Sequence, residues 1–155
     1  MELDRVRHDR RVHEAVVGRI IEADRERVWA ALTEPEALAA WFWPWRPTIT
    51  FSPTPGAAYA FEAEHPVAGS LAVDGRVMAV EPPARLAMTW HWTDEPMPPT
   101  EVEVRLADVD GATEVVVRHR RIGSESTAAD FERAWTDLLE RLAAHVEVSG
   151  APGTR

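Results

Sequence analysis

The sequence predicts an α+β fold in which a curved antiparallel sheet wraps around a long C-terminal helix, with two short helices after the first strand. Three observations carry this. A β-branched stretch, Glu14 to Ala23, runs straight into two short segments of helical spacing. About seventy residues of alternating, proline- and glycine-punctuated sequence then read as successive strands. Finally, Phe131, Trp135, Leu138, Leu142 and Val146 recur at helical steps, opposite Glu132, Arg133, Asp137, Glu140 and Arg141.

Each element has its own signals. Asp24 stands as an N-cap before "RERVWAAL", whose Val28, Ala31 and Leu32 share a helical face. In "TEPEALAAWF", Thr33 and Glu36 have capping-box spacing and Pro35 suits a first helical position. Leu38, Trp41 and Phe42 form its apolar stripe, and Pro44 and Pro47 end it. "TITF" leads into "AAYAFEAE", where Tyr59, Phe61 and Ala63 fall on one face while Glu62 and Glu64 face water. Two strands then turn at Glu81-Pro82-Pro83, since consecutive prolines cannot continue a ladder. Leu86, Met88, Trp90 and Trp92 make the core side of the second, with Ala87, Thr89 and His91 opposite. Asp74 beside Gly75 suggests a bulge. The clearest hairpin turns at Asp110-Gly111: Val102, Val104 and Leu106 point one way, and on the return strand Val115, Val117, His119 and Arg121 point together. Thr127 and Asp130 offer a cap for the last helix.

At 155 residues, this length and spacing fit one domain over residues 11–148, a flexible leader over 1–10 and a disordered tail over 149–155. Neither a signal peptide nor an apolar run long enough to cross a bilayer is present, so no membrane insertion and a cytoplasmic location are expected.

Two missing residue types restrict the chemistry. With no cysteine there is no disulfide, thiolate nucleophile or thiolate metal site. With no lysine there is no Schiff base and no P-loop lysine. Histidines lack metal-ligand spacing and no nucleophile-elbow motif occurs, so neither metal nor cofactor is expected. A net charge of −9 disfavours nucleic acid.

The order of elements is that of the helix-grip fold. "RVWAALTEPEALAAWFWP", "GRVMAVEPPARLAMTWHW" and "AWTDLLERLAAHVE" together resemble the SRPBCC (START-like) superfamily, in its branch of stand-alone homologues of the heat-shock-protein-90 ATPase activator domain. The aromatic pair followed by proline is matched by Trp41, Phe42 and Pro44, the double-proline turn by Pro82 and Pro83, and the helix aromatic by Trp135. Where that family often has an acidic residue and a glycine pair, this chain has the proline-rich "WPWRPTITFSPTPGAA". The resemblance implies a cavity between sheet and C-terminal helix that takes a small hydrophobic or aromatic molecule.

The candidate ligand-binding residues are Trp41, Trp43, Tyr59, Phe61, Trp90, Trp92, His119, Arg121 and Trp135. Trp41 and Phe42 also read as plain core; Trp43 and Trp45 read equally as a wall packed on a neighbouring loop, a pocket lip or a partner surface. The Tyr59 hydroxyl must reach solvent or meet a polar partner, a ligand included. His119 is the one candidate catalytic residue, as a ligand-facing acid or base or else a strand-end histidine bonded to backbone. Arg121 is placed to hold a carboxylate at the mouth, whereas Arg118 and Arg120 read as a solvated face paired with Glu103 or Glu101. The expected function is ligand binding. Two alternatives stand beside it: a polyketide cyclase-like or hydrolase-like enzyme using His119, and a chaperone-associated interaction domain presenting Trp43 and Trp45. A homodimer through a strand edge or the "WPW" segment is left open.

Overall fold

In the computed structural model, which describes residues 11–149, alternation and helical spacing resolve into ten elements. They are β1 (His13–Ile21), α1 (Arg25–Thr33), α2 (Pro35–Trp41), β2 (Thr48–Thr50), β3 (Ala58–His65), β4 (Gly69–Glu81), β5 (Arg85–Trp92), β6 (Thr100–Val109), β7 (Ala112–Ile122) and α3 (Glu125–Ser149). The leader, and the tail beyond Ser149, lie outside the described residues. The strands form one antiparallel curved sheet in the order β1-β7-β6-β5-β4-β3-β2. The α+β helix-grip architecture is therefore as expected.

Local chemistry explains where elements begin. Asp24 caps α1, its Oδ1 accepting from Arg27 N–H at 2.8 Å. The hairpin between β6 and β7 turns on Asp110 at φ 52° and Gly111 at φ 88°, the two positive dihedrals that a tight two-residue turn demands. Two expected caps are corrected. Thr33 ends α1 and donates to Trp29 O at 2.8 Å, so Glu34 precedes α2 without a side-chain cap. At α3 the Ser124 hydroxyl, not Thr127, is the cap, accepting from Thr127 N–H at 3.1 Å. Thr33 is spent within its own helix, and at α3 Ser124 lies one turn ahead of the expected Thr127.

The core lies between α3 and the sheet. Trp135, Leu138, Leu139, Leu142, Ala143 and Val146 of α3 join Ile21, Val28, Leu86, Val102, Val104, Val115 and Val117 in one buried cluster. The helix lies mainly across β1 and β7. The α1–α2 pair closes the cluster from the side: Trp41 Nε1 donates to Ala31 O at 2.8 Å, and Arg141 Nε donates to Trp41 O at 2.8 Å. Trp41 thus has no polar atom left to offer elsewhere through its ring nitrogen.

Gly75 is not the bulge expected at Asp74. The register shift in the β4–β5 pair falls between Val77 and Ala79 instead. Gly75 is opposite Tyr59, and a Cβ there would meet Thr89 O at 2.3 Å and Tyr59 Cε2 at 2.8 Å. The missing side chain lets the Tyr59 ring cross β4 and donate its hydroxyl to Thr89 O at 2.5 Å. That is the polar partner the hydroxyl required, and burial, with the nearby Asp74 charge second, pushes its pKa well above the ordinary phenol value.

Candidate functional site

A cavity of about 430 Å³ opens where β5 ends, under the loop that joins β5 to β6 and beside the first turns of α3. Its walls are Leu71 of β4, Trp90 and Trp92 of β5, Met97 and Pro98 of the loop, Thr100 of β6, Ile122 of β7, and Thr127 and Phe131 of α3. This size and mostly apolar lining suit a small ring-bearing molecule.

The loop over the cavity is held by bonds of its own. Thr93 N–H donates to Ala72 O at 2.9 Å, Glu95 N–H to Trp92 O at 2.9 Å, and the Thr93 hydroxyl to Asp74 Oδ2 at 2.7 Å. His91 reaches the same loop through Nε2, 3.0 Å from Glu95 O, with Nδ1 3.6 Å from Asp74 Oδ2. Among the described residues, the charged groups lining the cavity, Asp94 and Glu95, are acidic, and no arginine lines it.

Behind the wall runs a polar relay through the apolar core. Trp135 Nε1–H donates to His119 Nδ1 at 3.0 Å, so the ring proton sits on Nε2. That proton goes to Thr100 Oγ1 at 2.6 Å, and the Thr100 hydroxyl donates to Trp90 O at 3.1 Å. His119 is 0% exposed. Burial without a charged partner holds its pKa down at about 3, against an ordinary 6.5. The ring is neutral near pH 7 and both its nitrogens are committed. Its ring centroid is 4.0 Å from that of Phe131, so the histidine supports the cavity wall from behind.

One donor is left over. Trp90 is only 4% exposed, and its Nε1–H is the buried side-chain polar group without a hydrogen-bond partner among the described residues.

Of the nine residues expected to line a cavity, the structure brings Trp90 and Trp92 to it. Trp41, Tyr59 and Phe61 are packed into the core instead, where Phe42 sits 5.5 Å from Trp41 and 4.9 Å from Phe61 between ring centroids. Their alternation was read correctly, but aromatic rings in mutual edge contact fill the space between sheet and helix. Trp43 is buried and stacks on Trp92 at 6.4 Å and 11°, while half-buried Trp45 leans on His65 at 4.6 Å. Within the "WFWPW" run, Trp41 and Phe42 are thus core, while Trp43 and Trp45 form a wall packed on β5 and β3. Trp135 and His119 stand behind the cavity rather than in it.

Arg121 is a correction. Its φ of 64° and the register shift between β1 and β7 turn it to the exposed face, where its Nε lies 4.0 Å from Glu101 Oε2. Ile122 takes the inward place that strict alternation assigned to Arg121. Arg120 pairs with Glu101 at 3.2 Å as expected, but Arg118 pairs with Glu14 at 3.0 Å because Arg85 and Arg105 occupy Glu103.

Sequence reading missed Phe131, Thr100, Leu71 and Met97 as cavity residues. Met97 did carry a signal, as a lone apolar side chain among prolines in a polar loop. Thr100 carried none. Among the described residues, no group of His, Asp and Glu side chains is arranged to hold a metal ion, and no helix is long and apolar enough to cross a membrane.

Solved structures with this arrangement are numerous. A Rhodobacter sphaeroides protein is 30% identical, with 89% of this chain and 91% of that one covered at a TM-score of 0.77. A Chromobacterium violaceum protein is 25% identical, covering 86% and 96% at a TM-score of 0.78. DynU16, a protein of the dynemicin biosynthetic locus, is 26% identical over 88% of this chain and 48% of its own, at a TM-score of 0.76. No curated protein matches the sequence. The family model that does match, over residues 22–147, is that of Activator of Hsp90 ATPase homolog 1-like protein.

Proposed function

Because the chain belongs to the Activator of Hsp90 ATPase homolog 1-like protein family, an SRPBCC-type family, we propose that it binds a small hydrophobic or aromatic molecule at the open end of its grip. It does so as one cytoplasmic helix-grip domain, without metal or cofactor. The observation that carries this reading is the cavity of about 430 Å³ beside an otherwise filled core. A chain that packs every other aromatic ring against a neighbour, yet keeps this volume open under a hydrogen-bonded loop, has a shape suited to a guest.

The alternatives fare less well. A cyclase or hydrolase using His119 needs a free imidazole nitrogen within reach of substrate, whereas Nδ1 already accepts from Trp135 and Nε2 already donates to Thr100. An interaction domain presenting Trp43 and Trp45 needs them exposed, whereas Trp43 is buried against Trp92.

The test is a compound screen that follows tryptophan emission and melting temperature together, run in parallel on the chain and on Thr127→Trp, which fills the cavity from α3. Binding raises the melting temperature by mass action. Hits on the unaltered chain that vanish in Thr127→Trp support the proposal. Hits that persist in the variant, or silence across aromatic and aliphatic classes, refute it.

A further inference from the structure

We infer that the guest of this cavity is an amphipathic amine, a flat apolar body carrying a positively charged nitrogen, and not a carboxylic acid. This rests on the cavity being the binding site, as proposed above. The lining has two unlike sides. On the α3 side it carries Ile122 and Phe131, and on the β4 side Ser70 faces the start of the β5–β6 loop with Asp94 and Glu95. An apolar body fits the first side, and the second decides what its polar end can be.

Hydrogen-bond accounting around the polar side leaves acidic groups on offer. The Ser70 hydroxyl is spent on Glu64 Oε2 at 2.7 Å, the Thr93 hydroxyl on Asp74 Oδ2 at 2.7 Å and the Thr100 hydroxyl on Trp90 O at 3.1 Å. His91 is turned to the loop and to Asp74, with Nε2 3.0 Å from Glu95 O and Nδ1 3.6 Å from Asp74 Oδ2. The loop itself hangs on these bonds and on Thr93 N–H to Ala72 O and Glu95 N–H to Trp92 O. None of them uses the carboxylate of Asp94 or Glu95, so neither carboxylate is needed to hold the loop in place.

The two carboxylates are exposed at the rim, and among the described residues no arginine lines the cavity to neutralise them. A guest carboxylate entering there meets like charge without a counter-ion, whereas an ammonium gains two acceptors. The ring walls add to the same preference, because the faces of Trp92 and Phe131 attract a cation. A net charge of −9 also raises the local concentration of cations around the whole chain. That general attraction has to be separated from the effect of the two rim carboxylates.

The experiment compares three compounds of one skeleton by titration calorimetry at neutral pH: 2-naphthylmethylammonium, 2-naphthylmethanol and 2-naphthylacetate. Each is titrated into the unaltered chain, into Asp94→Asn with Glu95→Gln, into Asp137→Asn with Glu140→Gln, and into Thr127→Trp. The Asp137 and Glu140 pair lies on the exposed face of α3 and changes net charge by the same amount. On the unaltered chain the ammonium compound is expected to bind about fivefold tighter than the alcohol, the sum of an exposed ion pair and a cation–π contact, and the acetate more weakly than the alcohol. Added salt should shrink both differences. Removing the Asp94 and Glu95 charges should bring all three affinities within about twofold of one another and leave that of the alcohol in place, while the α3 variant keeps the ranking. An acetate that binds as well as the ammonium compound, a preference that survives in Asp94→Asn with Glu95→Gln, or one that the α3 variant weakens equally overturns the inference and leaves the cavity as the site. Binding of all three that persists unchanged in Thr127→Trp, or no binding by any of them, overturns the cavity reading and the inference with it.

Discussion

Replacing His119 by glutamine should flatten the acid side of the stability profile. His119 is fully buried and neutral, and burial holds its pKa at about 3 in the folded chain against 6.5 when free. Between those two values the unfolded chain takes up a proton that the folded chain refuses, so stability falls as pH falls through this window. Each unit of pH well inside it costs about 1.4 kcal/mol, and integrating from about pH 6.5 to about pH 4.5 gives about 2 kcal/mol from this one ring. Glutamine keeps an acceptor for Trp135 Nε1–H and a donor for Thr100, yet does not titrate. Urea unfolding at the two pH values, on the chain and on His119→Gln, isolates the term, since every other histidine and carboxylate is common to both. The parent should lose about 2 kcal/mol more than the variant across the window. Parallel losses would mean that the ring titrates near its ordinary value in the folded chain. It would then be open to proton transfer, and the argument against a catalytic His119 would collapse.

Other substitutions probe the same framework. Thr100→Val strips the acceptor from His119 Nε2–H and the donor from Trp90 O, and should lower unfolding free energy by about 1–3 kcal/mol; an unchanged urea midpoint would show that the relay is not formed. Gly75→Ala places a methyl 2.3 Å from Thr89 O, and should cost about 1–3 kcal/mol in thermal unfolding with Tyr59 displaced, which its emission and absorbance report. Asp24→Ala removes the α1 cap and should cost about 1 kcal/mol, whereas Thr33→Ala, a site without a capping role, should change α2 little.

The architecture was legible because long elements announce themselves by periodicity. The stripe from Phe131 to Val146 fixed α3, and Asp110-Gly111 fixed the β6–β7 turn. Cap assignment was less secure, since Ser124 and Thr127 are equally good capping residues on paper and only the chain path selects between them. The site was the least legible part. Alternation placed Tyr59, Phe61 and His119 on the inner face correctly, but facing inward does not distinguish lining a cavity from filling a core. That distinction depends on how rings from distant segments interlock, as Phe42 does between Trp41 and Phe61. A single positive dihedral at Arg121 then reversed the last two positions of β7, and no residue type foretold it, because arginine seldom adopts that conformation.

The central claim is that the guest sits at the open end of the grip and not within the aromatic core. A crystal structure of the chain soaked with an aromatic hit from the compound screen tests it most directly. The account expects the rings between Trp92 and Phe131, under the loop that joins β5 to β6. Density for the compound among Trp41, Tyr59 and Phe61, or on the outer face of the sheet, would contradict it.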